Sequence, residues 1–284
     1  MKDIVIHLNN GMGTQMDTTE CLEKSLITET AVPFKQASFS ECRNIKSGPV
    51  FIIASGSSAK DFPLHEFPTV PMITMNGAIS MFSQGDTKPF FYLCSDNDFP
   101  LQQPDLFATA MRISENVALW ENQFDVVQAK PSGQAFGLKK APRASIFTSL
   151  FNPQKSLVRH RSLLSKRSKD IGFSKDMSLG CFDARTVMYL ALQAAYHLGF
   201  NKVFLVGADL HQAAGRFYET PESKRSPCGL DQHYDTRILP SLKLMSKHVV
   251  DDDFQVYNLS ASSRVPAHII KKISLDEVRR MLNS

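Results

Sequence analysis

The sequence predicts an α/β protein with a Rossmann-like, mostly parallel sheet flanked by helices. Short apolar runs that suit buried strands alternate with segments of helical periodicity along most of the chain. Strands that alternate with helices form βαβ units, in which helices cover the faces of a parallel sheet. Several of the apolar runs end in Gly, Ser, Asn or Asp. We therefore expect a ligand crevice where these strands end, at their carboxyl ends.

Five short apolar runs are expected to form the strands. The first, residues 50–54, lies between a Gly-Pro and a Ser-Gly pair, which suits a fully buried strand. The third, residues 90–94, follows Pro89, at a position where a missing backbone N–H does least harm. The complete set is residues 50–54, 72–75, 90–94, 202–206 and 254–258.

The strongest helical signal covers residues 183–198. Its apolar residues recur at the 3.6-residue spacing of one helix face. Asp183 suits the N-cap, and Gly199 suits the position after the last turn. Ser274 and Glu277 form a capping box that opens a terminal helix. The other expected helices are residues 77–83, 104–111 and 238–249.

Length and composition indicate an ordinary globular protein with a substantial core. The chain has 284 residues, of which 43% are hydrophobic and 21% are charged. Residues 1–46 lack clear periodicity, so we expect an amino-terminal extension there and a single α/β domain at residues 47–284. No apolar run approaches the roughly 20 residues that span a bilayer. Five widely spaced cysteines without a C-x-x-C pair indicate reduced thiols in a cytoplasmic protein.

Positive charge is concentrated in residues 139–175. This segment contains ten Lys and Arg residues and one acid, so its charge of +9 leaves −5 for the rest of a chain whose net charge is +4. A basic segment with interspersed leucines suggests binding to an anionic membrane surface, and a solvated loop is the simpler interpretation. Nucleic acid is disfavoured as a partner because the segment has little aromatic interleaving for base stacking. The cations selected as membrane or acceptor contacts are Arg159, Arg161, Lys166 and Arg167.

Polar or small residues follow four of the expected strands at the point where each strand ends. They are Gly56 and Ser57 after the first strand, Asn76 after the second, Asp96 after the third and Asp209 after the fourth. Small residues after a strand let backbone N–H groups approach a phosphate. All of these are also common turn residues. Their recurrence at the carboxyl ends of successive strands nevertheless favours one shared binding site.

The sequence contains no strong nucleotide fingerprint and predicts no metal site. Residues 55–58, Ser-Gly-Ser-Ser, lack the Gly-Lys-Ser/Thr of a P-loop and the G-x-G-x-x-G of dinucleotide-binding proteins. Asp96 and Asp98 have a D-x-D spacing that occurs at some metal sites, but this spacing is common by chance and Mg²⁺ takes few protein ligands. We therefore expect no obligatory cofactor and leave stimulation by Mg²⁺ open.

The segment after Asp209 contains the remaining candidates. His211 follows two residues later, and Tyr218 precedes a polar loop at residues 220–231 that suits a mobile lid. His233 lies between this loop and an expected helix, where a histidine can serve as a general base. A structural or surface role is the simpler interpretation of any single histidine.

Four motifs resemble one known family. The chain resembles the lipopolysaccharide core-biosynthesis family called WaaZ or RfaZ in KDMSLGCFDART at 175–186, GADL at 207–210, RFYE at 216–219 and ILPSLKLM at 238–245. The resemblance covers about residues 49–273 and is most specific at 175–219. It implies a glycosyltransferase that adds 3-deoxy-D-manno-octulosonic acid (Kdo) to the inner core of lipopolysaccharide.

More distantly, the layout is similar to that of the bacterial sialyltransferases that use CMP-sialic acid. Kdo and sialic acid are both 2-keto-3-deoxy sugar acids that are activated as CMP conjugates. The resemblance therefore implies a CMP-activated sugar donor, a lipid A or lipopolysaccharide acceptor and a peripheral position at the inner membrane. It implies no obligatory metal, because N–H groups, Tyr hydroxyls or a protonated His can meet the charge of one phosphate.

The resemblance also assigns roles to the residues that match its motifs. Gly56 and Ser57 would lie under the donor nucleotide, and Asn76 would contact its phosphate or sugar. Ser178 and Gly180 would hold the CMP or the sugar carboxylate. The two glycine turns, at 56 and 180, are thus expected to converge on one nucleotide.

The remaining roles concern the base and the cytidine pocket. Asp209 would shape that pocket, with His211 where the sialyltransferases have a tyrosine. His233 would deprotonate the acceptor hydroxyl, with Asp209 or Asp96 as alternative bases. Two other functions remain open: a transferase of the same donor class with another glycan acceptor, and a non-catalytic protein that binds nucleotide or lipopolysaccharide during assembly.

Overall fold

The computed structural model describes residues 36–83, 85–143, 155–160, 170–213, 215–219 and 229–283. Within these residues the predicted parallel sheet is present, in the order β10-β9-β8-β1-β2-β3-β4-β5 with every neighbouring pair parallel. A separate antiparallel hairpin is formed by β6 and β7. The strands are β1 (Pro49–Ile53), β2 (Met72–Met75), β3 (Phe91–Cys94), β4 (Asn116–Trp120), β5 (Gln134–Leu138), β6 (Leu157–Arg159), β7 (Gly172–Ser174), β8 (Lys202–Val206), β9 (Gln255–Asn258) and β10 (Lys271–Lys272).

Helices cover both faces of the sheet and the ends of several strands. A 3₁₀ segment, Asn76–Phe82, follows β2 where the sequence predicts a helix at 77–83. A π-helical stretch, Tyr234–Ile238, joins two α-helices. The α-helices are α1 (Phe99–Gln102), α2 (Pro104–Ile113), α3 (Val187–Leu198), α4 (Leu230–His233), α5 (Leu239–His248) and α6 (Leu275–Leu282).

The long central helix begins later than its apolar stripe predicts. Asp183 is not its N-cap, because the Asp183 carboxylate accepts a hydrogen bond of 2.8 Å from the backbone N–H of Arg185. Arg185 has a positive φ of 62°, which a right-handed helix does not allow. The helix therefore starts at Val187, with Thr186 as its N-cap.

The compact unit also begins earlier than the expected domain. It starts at Gln36. Ala37 forms a parallel bridge to Phe136 of β5, and Phe39 and Cys42 are buried against the core. Residues 36–46 are thus part of the α/β unit.

Helix α3 forms the centre of one face of the sheet and packs on β1, β2 and β3. It is buried on all sides, so its polar side chains need partners inside the protein. The Gln193 amide meets this requirement. Its oxygen accepts from Ser174 N at 3.0 Å and Phe182 N at 2.9 Å, and its nitrogen donates to Phe182 O and Tyr189 O. Gln193 therefore fastens the β6–β7 hairpin to α3.

The opposite face of the sheet carries a cluster of aromatic rings. The Phe51 ring lies 5.0 Å from Phe62, 4.9 Å from Phe67 and 5.5 Å from Phe204, measured between ring centroids. Offset and tilted rings at these separations attract one another beyond simple burial. These contacts fix β1 and β8 side by side in the middle of the sheet.

All strands of the sheet begin on one side, here called the amino edge, and end on the opposite side, the carboxyl edge. The contacts of α3 show how this helix runs between the two. The helix ends at Gly199, which has a φ of 97°, and the chain enters β8 after Asn201, whose N–H donates to Gly48 O before β1. The carboxyl terminus of α3 therefore lies at the amino edge, where β1 and β8 begin. Its amino terminus points to the carboxyl edge, where β1, β2, β3 and β8 end.

Among the described residues, no helix combines the length and apolar character needed to cross a membrane. Cys42, Cys94 and Cys181 are buried and free, and burial raises the pKa of each thiol to about 12. These thiols are uncharged and inaccessible at neutral pH.

Candidate functional site

Segment 215–219 crosses the carboxyl edge and brings several predicted residues together. Arg216 forms an antiparallel bridge with Gly56, and Phe217 N donates to Ser55 O at 3.2 Å. The Tyr218 ring then lies directly against Gly77, where an added Cβ would be less than 3.0 Å from the ring. The carboxyl ends of β1 and β2 thus share one lining segment.

Asp209 forms the polar centre of this edge. Its carboxylate accepts hydrogen bonds from Ser57 Oγ at 3.2 Å, from Ser58 N at 3.0 Å, and from the hydroxyls of Ser58 and Ser260. Asp209 is only 3% exposed. Burial alone would raise its pKa, but the hydrogen bonds from Ser260, Ser58 and Ser57 outweigh burial and lower the pKa below the ordinary value.

These contacts revise the expected roles of the Gly56 turn and of Asp209. The carboxylate of Asp209 already occupies the donors of the Ser57–Ser58 turn, which leaves less capacity there for a ligand phosphate. Gly56 is required for this arrangement, since a Cβ would lie 2.6 Å from Asp209 Oδ2. A carboxylate with four donors and a lowered pKa is a poor proton acceptor. The geometry therefore favours Asp209 as an organiser of the turn over Asp209 as a base.

Asn76 is the predicted residue whose geometry points most directly to a ligand. It follows the last residue of β2 and has a φ of 42°, an uncommon conformation for a residue other than glycine. Its side-chain oxygen is buried and has no hydrogen-bond partner among the described residues. Buried polar atoms nearly always have a hydrogen-bond partner, so this unpartnered oxygen near Tyr218 indicates a site where a ligand donates a hydrogen bond.

Tyr92 of β3 adds a second buried polar atom near this point. The residue is fully buried, and its hydroxyl makes no hydrogen bond of good geometry within the described part of the chain. Burial raises its pKa, and the neighbouring Cys94, Tyr218 and Asp96 raise it further. Tyr92 therefore stays protonated at neutral pH.

Asp96 lies at the same edge, at the end of β3, but its side chain serves its own turn. Its Oδ1 accepts from Asp98 N at 3.0 Å. The backbone oxygens of Ser95 and Asp96 accept from Trp120 Nε1 and Gln123 Nε2, which ties this loop to the end of β4. In the described segments, no group of three His, Cys, Asp or Glu side chains has the geometry of a metal site.

The two histidines lie on the β8–β9 side of the edge. His211 is exposed, and its Nε2 lies 3.0 Å from Ser262 O. His233 is the last residue of α4 and is half-buried.

Helix α4 is held close to Asp209 by a chain of contacts. Asp231 pairs with Arg264 at 2.6 Å, and Arg264 N donates to the backbone oxygen of Asp209 at 2.9 Å. The Arg264 guanidinium also stacks on the Tyr234 ring at 3.7 Å. The helix that carries His233 thus begins at the carboxyl edge.

The predicted convergence of the two glycine turns is wrong. The Ser178 hydroxyl donates to Asp176 Oδ1. Met177, the residue before Ser178, donates its N–H to His197 Nδ1 in the last turn of α3. This places the Ser178 turn at the amino edge of the sheet. Gly180 packs instead on the backbone of Lys140 and Ala141, beyond β5. Three strands separate β5 from β1, so Gly180 and Gly56 do not enclose one nucleotide.

Arg159, a predicted membrane contact, has a packing role within the described residues. Its guanidinium packs 4.8 Å from the Phe182 ring and donates to Pro142 O. Burial lowers its pKa. Arg159 thus holds the β6–β7 hairpin against the domain. Arg161, Lys166 and Arg167 lie outside the described residues.

Two residues of the site were not predicted. Ser260 follows β9 as Asp209 follows β8, so the rule of polar residues after strands would have found it. Tyr92 lies inside a strand, where no sequence signal separates it from an ordinary core residue.

Comparison with known proteins gives a consistent family. The model of a protein family described as "3-deoxy-D-manno-octulosonic acid transferase WaaZ" matches residues 34–276. Two proteins named probable 3-deoxy-manno-octulosonic acid transferase are each 27% identical to the chain. The protein from Escherichia coli K12 matches over 82% of this chain and 84% of its own length, and that from Salmonella typhimurium over 80% and 87%.

Two solved structures share only a loose likeness. The MAf glycosyltransferase from Magnetospirillum magneticum is 14% identical, with a TM-score of 0.44 over 87% of this chain and 40% of that chain. The sialyltransferase CstII from Campylobacter jejuni, solved with CMP-3FNeuAc, is 15% identical, with a TM-score of 0.42 over 79% and 86%. The family match spans most of the chain, so this protein belongs to the WaaZ family of 3-deoxy-D-manno-octulosonic acid transferases.

Proposed function

We propose that the protein transfers Kdo from CMP-Kdo to a Kdo-bearing lipid A or lipopolysaccharide inner core, and that the donor binds at the carboxyl edge between Asn76 and Tyr218. The observation that carries this proposal is the buried, unpartnered side-chain oxygen of Asn76. This oxygen can accept a hydrogen bond from a sugar hydroxyl or from the cytosine amino group.

The proposed reaction is a single displacement at the anomeric carbon of Kdo. The acceptor hydroxyl oxygen forms a bond to this carbon while the bond from the carbon to the CMP phosphate oxygen breaks and its electron pair leaves with CMP. His233 is the proposed base that takes the hydroxyl proton, because α4 begins beside the Asp209 cluster. The positive end of α3 points to the same edge and favours the charge of the leaving phosphate.

The activity test measures CMP release from CMP-Kdo with and without Kdo-lipid A. Asn76→Gly is the informative variant, because glycine accepts the positive φ and only the amide is lost. We expect kcat/KM to fall about 10- to 100-fold, the effect of one or two polar contacts. Asn97→Gly is the matched control, since Asn97 is exposed in the next turn of this edge.

Three results would contradict the proposed function. Wild-type kcat/KM in a folded Asn76→Gly protein would remove the donor site from this edge. Tight CMP-Kdo binding without turnover or transfer in the wild type would instead indicate a binding protein. Transfer of sialic acid from its CMP conjugate, in preference to Kdo, would indicate a CMP-sialic-acid-type transferase instead.

We also propose that the basic segment 139–175 attaches the protein to the inner membrane from the cytoplasmic side. The charge of +9 supports this, and Arg159 is excluded from the test because its guanidinium packs on Phe182. Arg161, Lys166 and Arg167 are changed to Glu together, and flotation with anionic liposomes is measured. Each basic residue near such a surface contributes about 1 kcal/mol, so binding should be lost. Unchanged flotation would refute the attachment.

A further inference from the structure

A cavity of about 380 Å³ lies beside Tyr218. Its size is within the range of small-molecule sites, about 300–1,000 Å³. Three parts of the fold build it: the 3₁₀ segment after β2, helix α2 and segment 215–219. The lining side chains are Ser80, Met81, Leu106, Phe217 and Tyr218.

Tyr218 forms a fixed wall of this cavity. One side of its ring is packed against Gly77, which leaves no room for a Cβ. Its hydroxyl lies 3.3 Å from Arg216 Nη1, and the Phe217 ring stands at 90° to it with the centroids 6.0 Å apart. A wall held from several sides is preorganised, so a ligand pays little to order it.

The lining favours a sugar over an anion. None of the described side chains that line the cavity is charged, and the neighbouring Arg216 guanidinium is paired with Glu219 at 3.2 Å. The lining therefore offers no charge of its own to compensate a phosphate for lost hydration. Aromatic rings with hydroxyl groups at their margin suit a pyranose, which has apolar C–H faces and polar edges. The cavity lies close to Asn76, because its Tyr218 wall packs on Gly77, the residue that follows Asn76.

We propose that this cavity is the acceptor subsite, which takes the sugar ring that receives Kdo and places its hydroxyl beside the donor at Asn76. The inference rests on the proposed function and adds the residues that select the acceptor. Phe217 and Tyr218 supply the ring platform, and Leu106 closes the cavity from α2.

Leu106→Trp tests the subsite by filling it. Leu101→Trp is the matched control, because Leu101 lies on the adjacent helix α1 and is 83% exposed. Acceptor KM is measured at saturating CMP-Kdo, and CMP-Kdo hydrolysis is measured without acceptor. We expect the acceptor KM of Leu106→Trp to rise at least tenfold, with donor KM and hydrolysis as in the wild type. Leu101→Trp should behave as the wild type.

A second variant covers the case in which Leu106→Trp does not fold. Phe217→Leu removes the aromatic platform with a small change of volume, and we expect about a fivefold rise in acceptor KM. Acylated and deacylated Kdo-lipid A should be affected alike. A wild-type acceptor KM in a folded variant, a raised donor KM, or a defect confined to the acylated acceptor would overturn the subsite. Absence of transfer by the wild type would instead count against the proposed function.

Discussion

Asp209→Ala removes the carboxylate that joins the β1 turn to the loop after β9. Four donors, from Ser57, Ser58 and Ser260, lose their acceptor in a site that is almost fully buried. Each buried donor without a partner costs about 1–3 kcal/mol, and the costs are not additive because the serine hydroxyls can rotate to each other. We expect the free energy of unfolding to fall by about 3–5 kcal/mol.

Asp209→Asn separates the loss of charge from the loss of the acceptor. An amide oxygen can still accept from Ser58 N and Ser57 Oγ, while the amide nitrogen donates to the hydroxyls of Ser58 and Ser260. We expect a smaller loss of about 1–2 kcal/mol. Urea unfolding at constant m value measures both variants against the wild type. Equal losses for Ala and Asn, or a loss under 1 kcal/mol for Ala, would refute the organising role.

The stabilising effect of the Asp209 carboxylate should depend on pH in a specific direction. The folded protein lowers the pKa of Asp209 below its ordinary value of 3.8, so the ionised carboxylate stabilises the fold. This contribution is fully present above the unfolded pKa and is lost as pH falls through the folded pKa. The stability difference between wild type and Asp209→Asn should therefore be constant near neutrality and shrink below about pH 4. A difference that grows on acidification would contradict this sign.

Three further predictions concern other parts of the molecule. Ser178→Ala should leave kcat/KM unchanged and lower stability by about 1 kcal/mol, because the Ser178 hydroxyl donates to the Asp176 carboxylate that caps the turn at the amino edge. Gln193→Leu should lower the free energy of unfolding by about 2–4 kcal/mol, since buried groups of Ser174 and Phe182 lose their partners. Activity should persist in EDTA with at most a few-fold gain from Mg²⁺, because the Asp96 carboxylate caps its own turn. A tenfold or greater loss of activity in Ser178→Ala would contradict the first prediction, and the same loss in EDTA would contradict the third. A loss of stability below 1 kcal/mol in Gln193→Leu would contradict the second.

The sheet was predictable where strands are apolar and bounded by turn residues. β1, β2, β3, β8 and β9 lie within one or two residues of the predicted runs. β4 and β5 were missed because Asn116–Trp120 starts with Asn and Gln134–Leu138 contains Gly137, so neither reads as a continuous apolar run. β5 gains its stability from pairing with β4 and from the bridge to Ala37, which are contacts distant in sequence.

The candidate site was predictable where local chain direction determines position. Parallel strands place their carboxyl ends at one edge, which brings Gly56, Asn76 and Asp209 together. The turn at Ser178 precedes a helix and so looks like a second site element. Its true position depends on contacts with distant residues, the ion pair of Asp176 with Arg43 at 2.5 Å and the hydrogen bond from Met177 to His197. Such long-range partners have no periodic signal in the sequence.

A crystal structure with bound CMP tests the central claim most directly. We predict that the nucleotide lies at the carboxyl edge, with a polar atom within hydrogen-bond distance of the Asn76 amide and contact to Tyr218. Nucleotide bound at the Ser178–Gly180 turn, or in the larger cavity of about 600 Å³ at the amino edge beside Arg279, would contradict the account.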